Sequence, residues 1–112
     1  MRIPKSFQLL GRTITVGEDP GLLHERDWVG SADYQKGEIK LQPIDATYPA
    51  TAEKRAQTFC HELVHHICYH AGAAVNHELK NQLHRNEEFV DLFASLLHQT
   101  LTTMKYDGKK MD

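Results

Sequence analysis

The chain predicts an α+β fold, a short antiparallel sheet of about three strands packed on one long helix and on a second helix downstream. Three observations lead to this. Residues 1–48 alternate apolar and polar positions between turns rich in Gly and Pro. From Ala52 the apolar residues recur at helical spacing, and a second helical period follows Asn86. At 112 residues the expected organisation is a single domain: a β-rich front half (1–48), a first long helix (49–72), a loop and second helix (73–104) and a tail (105–112).

In the front half, the segment from Phe7 to Val16 holds the β-branched run Thr13-Ile14-Thr15-Val16, which Gly17-Glu18-Asp19-Pro20-Gly21 ends with turn residues. Trp28 to Tyr34 and Glu38 to Leu41 flank Gln35-Lys36-Gly37 and read as a hairpin whose turn uses the positive φ open to glycine. Trp28 and Tyr34 are expected as core or rim aromatics.

The first long helix is expected to begin at Thr51, an N-cap with Glu53 in the first turn, and to end where Gly72 can take the left-handed cap conformation. Its buried stripe would be Ala56, Phe59, Cys60, Leu63, Val64 and Ile67. The second helix would start after the N-cap Asn86, run antiparallel to the first, and bury Phe89, Phe93, Leu96, Leu97, Leu101 and Met104.

Residues 61–65 read His-Glu-Leu-Val-His, at the border of the first helix's apolar stripe. Three fixed letters at this chain's own frequencies recur by chance about 4 % of the time, so helical context must lend the motif its weight. On a helix, positions i and i+4 stand one above the other, so His61 and His65 can offer nitrogens to one zinc ion. Glu62 points about 100° away round the helix and can act as general base on a metal-activated water. A third protein ligand is needed, and Glu87 in the first turn of the second helix supplies it, with Glu88 one residue off in register. Asp91, four residues on, shares Glu87's face and can accept the outward N–H of a ligating histidine.

With these two motifs in place, the segment from Arg55 to Leu97 resembles the gluzincin metallopeptidases, and within them the compact ImmA/IrrE-type domains or very small phage-encoded zincins. The matching residues are Arg55 and Phe59-Cys60-His61-Glu62-Leu63-Val64-His65-His66, then Glu87, Val90-Asp91, Phe93 and Ala94. Val64 stands where such families often carry glycine, and Val90-Asp91 where Ala-Asn is usual. The resemblance implies a small zincin-like fold, zinc-dependent hydrolysis of peptide bonds, and a peptide or protein substrate, a transcriptional repressor in the ImmA/IrrE case. It also implies an edge strand above the metal that pairs with extended peptide, for which Glu38 to Leu41 is the candidate. The alternative reading is a catalytically silent or latent zinc-binding partner domain of a phage or mobile element, with the tail from Met104 to Asp112 folding back over the cleft.

The formal charge of −2, with both signs mixed, offers no basic stripe for nucleic acid. No run is long enough to span a membrane, and Phe7 to Leu10 is too short for a signal peptide's apolar region, so a cytoplasmic protein is expected. Cys60 and Cys68 lie about 12 Å apart along one helix, beyond disulfide reach, and should be free core thiols. His66 and His70 repeat the i, i+4 spacing but lack a completing acid, and are expected on a solvated helix edge. His70, His77 and Tyr69 are the candidates for stabilising an oxyanion. The sequence encodes nothing about oligomeric state.

Overall fold

The computed structural model describes residues 1–107, 109 and 110, and the side chains of all these except 77, 109 and 110. The architecture is α+β as expected, but its sheet has four strands and is mixed. Strands β1 (Ser6–Leu9) and β2 (Arg12–Glu18) form an antiparallel hairpin. The segment read as one stretch from Phe7 to Val16 is therefore two strands. Their turn is Leu10-Gly11, with φ of 51° and 77°, the two positive values that a tight hairpin requires. Leucine rarely adopts such a φ, and this hides the turn from a reading that looks for Asn-Gly or Asp-Gly.

A short helix, α1 (Leu22–Arg26), follows the β2 turn and was not anticipated. Gln42, almost fully buried, secures it: its Oε1 accepts the Leu23 N–H at 2.9 Å and its Nε2 donates to the Pro20 carbonyl at 3.2 Å. The expected hairpin is present as β3 (Gly30–Asp33) and β4 (Glu38–Leu41), with Gly37 at φ 68° in its turn.

Strand order is β1-β2-β4-β3, and β2 pairs with β4 in parallel. Glu38 to Leu41 is consequently an interior strand, which corrects its assignment as the peptide-binding edge. The cause lies in composition. Ile39 and Leu41 are fully buried and belong in the middle, whereas Gly30-Ser31-Ala32-Asp33 brings no bulky apolar residue and takes the edge.

Helix α2 (Ala52–Val75) packs on β3 and β4 and also touches α3 (His77–His84) and α4 (Glu87–Thr103). Thr51 caps it as expected, its hydroxyl accepting the Lys54 N–H at 3.0 Å. Gly72 does not end the helix. It is buried inside it, where an added Cβ would stand 2.5 Å from the Lys80 Cα, so this glycine lets α3 press directly on α2. The segment expected as loop before Asn86 is in fact this third helix, capped by the Asn76 side chain on the Leu79 N–H at 2.7 Å.

The core joins Ile14, Ile39 and Leu41 of the sheet to Phe59, Cys60, Val64 and Cys68 of α2 and to Val90 and Ala94 of α4. Both cysteines are free and buried, and burial pushes the Cys60 thiol up to about 11, as suits an inert packing group. Helix α4 is rotated from its expected facing. Val90, Ala94 and His98 are its buried residues, while Phe89, Phe93 and Leu96 are exposed. In the tail, Lys105–Tyr106 pairs with Lys109–Lys110, and residues 108, 111 and 112 lie outside the described residues. No helix is long and apolar enough to cross a membrane among the described residues.

Two effects oppose each other at Gly72. Alanine would gain about 1 kcal/mol of helix propensity, but its methyl would force apart the α2 and α3 backbones at a cost of roughly 1–3 kcal/mol or more. The clash should win, so Gly72→Ala is expected to lower the urea midpoint; a raised midpoint would show that α3 does not sit this close.

Candidate metal centre

His61 and His65 stand one turn apart on α2, with their Nε2 atoms 3.2 Å apart. Helix α4 starts at the Asn86 cap, whose Oδ1 accepts the Phe89 N–H at 3.0 Å, and this fixes Glu87 in the first turn opposite the pair. Glu87 Oε2 lies 3.4 Å from His61 Nε2, and Oε1 lies 3.1 Å from His65 Nε2. One turn further on, Asp91 Oδ1 accepts the His61 Nδ1–H at 2.8 Å. Glu87 reaching His65 while Asp91 meets His61 means that the two helices run in opposite directions.

The four expected residues are thus brought together, and Glu88 is not among the group that could hold a metal ion. Asp91 holds the His61 proton on Nδ1, so Nε2 keeps its lone pair toward the centre. His65 Nδ1 is buried without a well-formed hydrogen bond, yet the backbone carbonyl of His84 acts on it and favours a proton there. Burial holds the His65 ring below its ordinary value, against the opposing pull of Glu87. Two imidazole nitrogens and a carboxylate thus converge at contact distance, an arrangement that a cation among them would stabilise. The spacing suits one: ligand atoms about 2.0–2.1 Å from a tetrahedral ion sit about 3.3 Å from each other. The Glu87 and Asp91 side chains are about two-thirds exposed, so both carboxylates stay solvated.

Glu62 differs from both. It is only 8 % exposed, and burial, seconded by the charge of Glu87, lifts its carboxyl to about 7. It fits there because β3 begins with glycine: a Cβ on Gly30 would stand 2.7 Å from Thr58 Cγ2 and 3.0 Å from Glu62 Oε2. Gly30 is a site residue that the sequence reading passed over, its only signal being a glycine at the start of a strand.

A cavity of about 730 Å³ opens on one side of His61 and Glu62, walled by Trp28, Thr58, Asp91, Ser95 and His98 among others. A second, of about 440 Å³, lies on the β3 side with Ser31, Ala32, Tyr34, His65 and Glu87 in its wall. Among the described residues, none of the tail lines either one. Trp28, expected as core or rim, is about half exposed and borders both.

The second histidine pair corrects its expected place on a solvated edge. His66 is fully buried, its Nε2–H donating to the Glu38 carbonyl at 2.9 Å and its Nδ1 lying 3.4 Å from His70 Nε2. It ties α2 to β4 and has no part in the metal centre. Of the oxyanion candidates, neither His70 nor Tyr69 lines the two cavities, and the His77 side chain lies outside those described.

Compared with family models, with curated proteins and with solved structures, the chain matches none. The functional reading therefore rests on the geometry of the site.

Two outcomes are expected of this geometry. In metal titrations, Glu87→Ala should abolish stoichiometric binding, Glu88→Ala should leave it intact, and Asp91→Ala should weaken it about 10- to 100-fold; equal behaviour of the two glutamate variants would remove Glu87 from the centre. In metal-free protein, native Glu62 retains its proton up to about 7, whereas the unfolded chain releases it near 4.5. The native state then binds more protons over that interval, and stability falls as pH rises through it. Glu62→Gln removes the penalty, so its stability in urea should exceed wild type by roughly 1–3 kcal/mol at pH 8 and match it near pH 4.

Proposed function

We propose that this protein is a zinc-dependent peptidase, with His61, His65 and Glu87 as the ligands and Glu62 as the general base. Two imidazoles and one carboxylate with a fourth position left open is the donor set of hydrolytic zinc centres, and this supports one zinc ion as the cofactor. When bound, such an ion acts as a Lewis acid that lowers the pKa of water toward about 7 and polarises a carbonyl.

The remaining work falls to the chain's own groups. The Glu62 carboxylate accepts the proton of the attacking water and later delivers it to the nitrogen of the leaving amine. An acid poised near neutrality suits both halves of that task. Asp91 keeps His61 oriented through Nδ1, and Gly30 leaves room for the base.

The substrate is proposed to be a peptide or protein segment in extended conformation. Strand β3 is an edge, has His61 and Glu62 beside its first residue in both cavities, and offers backbone groups for strand addition. Placed along β3, such a segment would pass over the ligand pair with a cavity on either side of the scissile bond. The observation that carries the proposal is the juxtaposition of a converging His-His-Glu set with a buried carboxylate that is not itself a ligand.

The test uses zinc-loaded protein and a digest of denatured proteins. Wild type is expected to cleave, and Glu62→Gln to retain one zinc per chain and its fold while losing at least about 10²-fold in rate. Stoichiometric zinc without cleavage by wild type would favour a silent binding domain.

A further inference from the structure

Beside the ligands and base, the cavity on the β3 side is lined by Trp28 and Tyr34, and of these two Tyr34 carries a hydroxyl. Tyr34 follows directly on β3 and is half buried. Its ring stacks face to face on Tyr69 of α2, with centroids 4.3 Å apart and planes 5° from parallel. The edges of His66 and His84 close on it at 5.2 Å and 5.3 Å. Its main-chain carbonyl is held by Arg12 Nη2 at 3.0 Å. Such a clamp removes the rotamer freedom that a tyrosine on a strand end would otherwise keep.

All this fixing leaves the hydroxyl unused. Among the described residues it makes no hydrogen bond, although Tyr34 borders the same cavity as His61, Glu62, His65 and Glu87. Burial, then the charges of Glu62 and Glu87, hold its pKa well above the ordinary phenol value. The phenol therefore stays neutral around neutral pH, and keeps an O–H to give. A rigid donor without a protein acceptor, at the wall of a hydrolytic cleft, is suited to an acceptor brought by the substrate.

We infer that Tyr34 is a further catalytic residue, whose hydroxyl donates a hydrogen bond to the carbonyl oxygen of the scissile peptide as that oxygen gains charge. The inference rests on the peptidase reading. The step needs no proton transfer from the phenol. Water oxygen bonds to the carbonyl carbon, the π pair moves to the oxygen facing Tyr34, and collapse of that adduct expels the amine, which takes its proton from Glu62. This role replaces His70, Tyr69 and His77 as candidates for the oxyanion, Tyr69 becoming the surface on which the donor is mounted.

Tyr34→Phe removes the hydroxyl and keeps the stacked ring, so zinc content and melting temperature should match wild type. Against a fluorogenic peptide chosen from the wild-type digest, kcat should fall about 10- to 10³-fold with KM within about twofold. A phosphinic peptide of the same sequence, which mimics the tetrahedral adduct, should lose affinity by a comparable factor in calorimetry, while the cleaved product should bind as before. If wild type and Tyr34→Phe share one kcat and one phosphinic affinity, the role of Tyr34 is overturned and the peptidase reading stands. If wild-type protein with one zinc per chain cleaves nothing in the digest, the peptidase reading falls and takes this role with it.

Discussion

The register of α4 against α2 is the constraint on which the rest of the structure depends. Facing His61 and His65 with Glu87, and His61 with Asp91, requires residues 87, 91 and 94 of α4 to look toward α2, and Val90 and Ala94 then enter the core beside Val64. That facing leaves several large apolar side chains outside. Phe89, Leu92, Phe93 and Leu96 lie a turn-fraction away and remain between 36 % and 61 % exposed. Each would contribute about 1.5–3 kcal/mol if fully buried. What this facing brings together instead is a polar seam of two carboxylates and two histidines. A bound cation would tie this seam together, cross-linking the two helices through His61, His65 and Glu87.

This explains which parts of the fold were legible in the sequence. Features set by local chemistry could be read directly: the caps at Thr51 and Asn86, the glycine turn at Gly37, the free core cysteines, and the i, i+4 alignments of His61 with His65 and Glu87 with Asp91. Features set by tertiary competition could not. Hydrophobic period alone turns α4 toward its phenylalanines, whereas in the structure Val90 and Ala94 face the core. Gly72 has the look of a helix terminator, but the close approach of Lys80 gives it an interior role, and the extra helix α3 follows from that contact. The order of β3 and β4 depends on a parallel pairing between β2 and β4, and no pairwise signal in the sequence announces it.

The same distinction separates the two kinds of histidine. His61 and His66 are neighbours on one helix and differ in sequence context by very little. His66 points into the sheet, where it meets a backbone carbonyl of β4, and burial lowers its pKa. His61 lies at the rim, where a carboxylate orients it and its other nitrogen is left for a ligand. Partners supplied by other elements assign the roles. The sequence reveals the pair with a downstream acid and leaves the other without a task.

Glu62 shows what the site asks of the fold in return. A carboxylate buried under Gly30 and within the field of Glu87 disfavours its own charged form, and nothing among the described residues offers it a hydrogen bond. A neutral residue here would stabilise the metal-free protein, so the acid carries a local penalty. That penalty is relieved when positive charge arrives nearby, because a cation among His61, His65 and Glu87 cancels the repulsion from Glu87 and favours ionised Glu62. Ionisation of Glu62 would thereby be coupled to occupancy of the centre. Without a cation Glu62 holds its proton near neutrality, and a cation at His61, His65 and Glu87 would draw that proton off at lower pH.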